Sequence, residues 1–148
     1  MKVILLEEDA KNKKKLREQI ERLELYLIDK KNTDVVFGQD EDNAYYDEQR
    51  YITINTRQNL RSQLHTLVHE AGHVLIRCNK KSFKKKYSGF SKRKNSKSFK
   101  LSVLKEEIMA WERGHKLASR LGIDLDEGWW KKHSEECIYS YAKWVVNG

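Results

Sequence analysis

The stretch His69-Glu70-Ala71-Gly72-His73 sets two imidazoles four residues apart with a carboxylate between them. On an α-helix that spacing is close to one turn, so both rings fall on one face and can grip a single ion. Imidazole nitrogen suits zinc. Glu70, one residue from His69, points beside the ion and not into its ligand set, where it can take a proton from a zinc-activated water. The expected roles are therefore metal ligand for His69 and His73, and general base for Glu70. A pentapeptide this short also fits an ordinary helix with two surface histidines. Its flanks argue otherwise: Leu67, Val68, Ala71, Val74, Leu75 and Ile76 are uncharged, which predicts a buried helix where unpaired polar groups are costly.

A catalytic zinc takes three protein ligands and leaves the fourth position to water. Glu106, Glu107, His115, His133 and Cys137 are the downstream candidates. If residues 101 to 121 are helical at about 100° per residue, Glu107 projects from the centre of an apolar stripe. Val103, Ala110 and Gly114 lie to one side of it and Leu104, Ile108 and Trp111 to the other. Glu106 then falls beside Arg113 and Arg120, on a rim that water reaches. A carboxylate in a core-facing stripe calls for a compensating cation, which zinc supplies. The phase favours Glu107, with Glu106 as the alternative. His115 reads as a structural hydrogen bonder or an oxyanion stabiliser, His65 as an exposed side chain, and Cys137, near Ile138, Tyr141 and Trp144, as a core thiol.

Positioning these groups needs a scaffold. Leu16, Ile20, Leu23 and Leu27 predict an amphipathic helix over residues 9 to 29. Residues 34 to 37 read as a short strand, and residues 44 to 46 and 51 to 54 as a hairpin around Asp47-Glu48-Gln49-Arg50. The motif helix follows from about Leu60, the Glu107 helix covers 101 to 121 with Gly122 as its stop, and a last helix takes in Trp130 to Val145. The class is α+β, and 148 residues predict a single domain over 1–148. Residues 79 to 100 show no clear period and read as a loop excursion.

That excursion is strongly basic. Lys84, Lys85, Lys86 and Arg93 are among its cations, interleaved with Phe83, Tyr87, Phe90 and Phe99. Cations for phosphates and rings for bases are what single-stranded nucleic acid binding requires, although a solvated loop or a lid over a substrate has the same composition. The formal charge of +8 and pI near 9.4 also fit a polyanionic partner. Two cysteines match neither a zinc ribbon nor a disulfide scaffold, which points to a reducing cytoplasm. The opening apolar run is too short for an export signal, and no segment has the roughly twenty apolar residues of a bilayer span. A soluble protein without a membrane partner is expected.

The strand Tyr51-Ile52-Thr53-Ile54-Asn55, the segment from Leu64 to His73 and the run Glu106-Glu107-Ile108-Met109-Ala110-Trp111 together resemble the gluzincin branch of the zincin metallopeptidases. The chain is most similar to small ImmA/IrrE-type and phage-encoded peptidases. The resemblance implies a zincin-like fold with a small, curled, mainly antiparallel sheet. Tyr51, Ile52, Thr53 and Ile54 would form the sheet edge on which an extended substrate adds as a further strand. It further implies one zinc ion on His69, His73 and Glu107, hydrolysis of peptide bonds in a protein substrate, and the cytoplasm of a bacterial or phage-infected cell. The Lys-rich stretch and the lack of a helix-turn-helix module depart from the family pattern. The competing expectation is a nucleic-acid-binding protein that uses residues 77–100 and keeps a structural or vestigial metal site.

Overall fold

The leucine spacing does produce a helix, and a longer one than its period marks. In the computed structural model, which describes residues 2–148, α1 runs Lys2–Lys31. Ile20, Leu23 and Leu27 are its buried apolar positions, while Ile4, Leu5 and Leu6 are exposed. The helix starts well before residue 9 because nothing in the preceding Leu, Glu and Lys residues breaks it. Asn32 ends it at φ 47°, a left-handed conformation that asparagine tolerates, and the Thr33 N–H returns to the Leu27 carbonyl at 2.9 Å.

Three strands follow: β1 Asp34–Gly38, β2 Ala44–Tyr46 and β3 Tyr51–Asn55. Their order is β1-β3-β2, with β3 parallel to β1 and antiparallel to β2. The α+β class and the hairpin are as expected, but two expectations fail here. The sheet is mixed and not mainly antiparallel, and β3 is its central strand and not an edge. Ile52, Thr53 and Ile54 are all buried, and such an unbroken buried run belongs to a strand with neighbours on both sides. Tyr51, Ile52 and Thr53 are paired in both directions, so this strand has no free ladder to offer a substrate. The sheet's edges are β1 and β2.

The motif helix α2 spans Leu60–Arg77. The chain forms two compact units, Met1–Val68 and His69–Gly148, so the boundary falls inside α2. After it come α3, Lys80–Lys86, a 3-10 turn at Ser88–Ser91, α4, Lys97–Arg120, and α5, Glu127–Asn147. The expected excursion at 79–100 is therefore largely helical. Asn79 caps α3 by accepting from Ser82 N–H, and Ser96 caps α4 by accepting from Phe99 N–H. Phe83 and Tyr87 sit at helical spacing and stack at 5.0 Å; Phe90 is 5.4 Å from Phe83, and Phe99 meets Phe90 edge-on at 5.4 Å. Lysines between these rings hid the period. Gly89 lets the turn seat on α4, since a Cβ there would lie 2.0 Å from the Ser98 carbonyl oxygen. Gly122, at φ 69°, ends α4 as anticipated. Among the described residues no helix is long and apolar enough to cross a membrane.

Candidate metal centre

Leu64, Leu67, Val68 and Ala71 are fully buried on α2, and this apolar face carries His69, Glu70 and His73 inward with it. Gly72 decides how near α4 can come. A Cβ at this position would lie 2.0 Å from the Ala110 carbonyl oxygen and 2.8 Å from its carbon, so the two backbones almost touch. Glu107, about one turn before Ala110, is thereby brought against the histidines. Its Oε1 is 2.7 Å from His69 Nε2 and its Oε2 is 3.3 Å from His73 Nε2. One ligand atom from each of His69, His73 and Glu107 lies within 4.8 Å of the others, and the group could hold a metal ion.

The donors fit that use. His69 Nε2 is buried and makes no well-aligned hydrogen bond, although Glu107 Oε1 stands 2.7 Å from it. An orphaned ring nitrogen is costly unless something else satisfies it, and a lone pair directed at a cation does so. The other orphan among the described residues is the indole nitrogen of Trp111, whose ring stacks on His69 at 3.9 Å and 12°. No family model, no curated protein and no solved structure matches the chain. Its chemistry is read from these side chains alone.

Glu106 overturns the expectation of a solvated rim: it is only 3 % exposed. Its Oε2 accepts from His73 Nδ1 at 2.8 Å and from Arg77 Nε at 2.8 Å, and its Oε1 from Arg77 Nη2 at 2.6 Å. Burial pushes its carboxyl up, but the hydrogen bonds from His73 and Arg77 outweigh that and hold it below the ordinary range. Nδ1 stays engaged with Glu106, so a metal that displaced the proton on Nε2 would meet the His73 lone pair there, beside Glu107. A carboxylate behind a ligating imidazole fixes the tautomer and ring orientation. Burial opposes charge on His73, yet the hydrogen bonds to Glu106 and Glu107 push it up to about 10. Glu107 is held well below the carboxylate range, burial being outweighed by His69 and His73.

Glu106 leaves the rim because α4 has a wider buried arc than one stripe. Lys100, Ser102, Glu106, Glu107, Ala110, Trp111, Gly114, Leu117 and Ala118 are all buried on it. A signal was available, since Arg77 continues the four-residue spacing of His69 and His73 along α2. Glu106→Ala is accordingly expected to weaken metal binding about 10–100-fold. It should also destabilise the metal-free protein by about 1–3 kcal/mol, because it strips the Arg77 guanidinium and the His73 N–H of their acceptor. Chelator competition and thermal unfolding of the chelated protein measure the two effects separately.

Glu70 is 8 % exposed and stands outside the ligand group, its Oε1 3.6 Å from His69 Nδ1. Burial above all raises its affinity for a proton. Cys137 is not simply a core thiol: it is half-buried and its Sγ donates to Glu107 Oε1 at 3.6 Å. Burial and then Glu107 push the thiol up to about 11. Tyr141, one turn further along α5, is pushed up to about 12, first by burial and then by Glu107. His115 Nε2 lies 3.0 Å from both Glu127 carboxylate oxygens, which makes it a structural partner. His133 donates from Nδ1 to the Trp129 carbonyl at 2.8 Å. His65, expected to be exposed, is 1 % exposed and donates from Nδ1 to the Arg61 carbonyl at 2.7 Å. Lys84, Lys85 and Lys86 line the solvent side of α3, and Arg93 is also exposed.

Proposed function

We propose that this chain is a zinc-dependent metallopeptidase that hydrolyses peptide bonds of a protein substrate. The observation that carries this reading is the convergence of His69 Nε2, His73 Nε2 and the Glu107 carboxylate on one small volume, with a ring nitrogen there left without a partner. Two imidazoles and one carboxylate are the protein share of an open zinc site. The Cys137 thiol lies against Glu107 but is not one of the three clustered ligands, which favours an open site over a closed structural one. Bound zinc would supply polarisation of the scissile carbonyl and acidification of a water molecule. Glu70, buried beside the ligands and not among them, is the group that takes the water proton and passes it to the leaving amine. Glu106 and Arg77 hold the His73 ring in place.

Elemental analysis tests this directly. Protein purified in zinc-replete buffer should carry one zinc per chain. It should cleave a denatured protein substrate, lose that activity in chelator, and regain it when zinc is returned. Zinc well below one equivalent per chain in the folded wild-type protein would remove the reading.

A further inference from the structure

A second cavity, of about 300 Å³, lies between α3, the end of α2 and the outer side of α4. Lys86, Lys105 and Arg113 reach its wall, Phe83, Tyr87 and Met109 are among its apolar lining, and no carboxylate lines it. The three cations are exposed. None has an acidic partner within ion-pair reach among the described residues. The nearest buried acid, Glu106, is already committed to Arg77 and His73, so it does not neutralise them. Lys105 is held in place at the rim, its Nζ donating to the Lys86 carbonyl at 3.0 Å. Lys105 Nζ also stands 5.3 Å from the Tyr87 ring centroid, but no carboxylate meets the three charges, so an anion entering the cavity finds them unneutralised.

We infer that this cavity binds the phosphate of a nucleoside phosphate ester, with Lys86, Lys105 and Arg113 around the anion and the apolar lining against the sugar or base. A dianionic phosphate answers several cations better than a single carboxylate, and arginine matches its oxygens with paired N–H groups. The volume admits about one nucleotide, at the lower end of small-ligand sites. The rings of the basic segment are largely spent on one another, and the Arg77 guanidinium lies 4.5 Å over Phe83. Recognition therefore runs through phosphate and cavity, and not through a row of bases stacked on free aromatics. The ligand has two sources, a free nucleotide or one residue of a single strand. This site is independent of the metal and of the peptidase reading.

The test uses the full chain at about 0.15 M salt, titrated calorimetrically with adenosine monophosphate and with a short oligothymidylate. The paired substitution Lys105→Ala with Arg113→Ala should weaken binding at least about tenfold, since each removes a charge-assisted contact. Lys84→Ala with Lys85→Ala, on the same helix but outside the cavity, should leave binding within about twofold of wild type, as lost long-range charge alone is largely screened. If loss of the Lys105 bond to Lys86 unfolds the first pair, Arg113→Gln alone carries the comparison. Binding of the mononucleotide identifies a free nucleotide as the ligand; binding of the oligomer alone, with the same residue dependence, identifies a strand. Equal weakening by both pairs, or no binding of either probe, overturns the assignment.

Discussion

Glu70→Gln is expected to keep one zinc per chain, to unfold no earlier than the wild type, and to lose about 10²–10⁴-fold of its peptidase activity. The side chain is 8 % exposed and glutamine has nearly its shape, so packing is preserved. Removing a carboxylate whose ionised form burial already disfavours should not cost stability. Glutamine cannot accept and return a proton, and the turnover that depends on this step disappears. Zinc content and melting temperature of the variant are measured beside its rate on the same substrate. Loss of the metal in the glutamine variant would mean that Glu70 is a ligand, and retained activity would mean that the base lies elsewhere.

The second large effect belongs to Glu107→Ala. Excess zinc at about a hundred times its dissociation constant stabilises the folded form by about 2.7 kcal/mol, and that increment should vanish with the ligand. From the sequence, removing a lone buried carboxylate looks harmless once the metal is stripped. The structure reverses this expectation. Glu107 lies 2.7 Å from His69 Nε2 and 3.3 Å from His73 Nε2, and these neighbours hold its carboxyl below the ordinary range. A group with a depressed folded-state pKa adds stability above its unfolded pKa, near 4, and loses it as the pH falls through the folded value. At neutral pH the alanine variant should therefore melt below wild type even in chelator, and further below it in zinc. Scans of both proteins in the two buffers give the comparison. An undiminished zinc-dependent rise in the alanine variant would rule Glu107 out as a ligand, whereas Glu106→Ala should retain a reduced rise.

Features that lie within one helical turn were legible in the residues themselves. The pairing of His69 with His73, the placing of Glu107 opposite them and the stop at Gly122 each follow from local spacing. What was missed depends on a second partner that local spacing does not reveal. Glu106 looked solvated because its own helix offers it arginines on a rim; the cation it uses is Arg77, on α2. The resemblance makes Tyr51 to Ile54 an edge, and the parallel pairing with β1, which no hairpin signal marks, puts the strand at the centre instead. The Lys80–Lys86 helix escaped notice because its ring-to-ring contacts are few and lie among lysines. His65 reads as exposed when set beside His69 alone, yet its position on α2 puts it on the buried face.

A signature written as His-Glu-any-any-His treats its two middle letters as carrying no information. In this chain the fourth letter carries as much as the histidines do. Gly72 faces the Ala110 carbonyl with no room for even one methyl group, and the preceding Ala71 is fully enclosed. A library randomised at both positions and selected for metal would return glycine at 72 almost without exception and only small residues at 71. Grafting the pentapeptide of a zinc protein, with a bulkier residue at that letter, would transfer both histidines of α2 and still lose the site, because α4 could no longer come near enough to deliver Glu107.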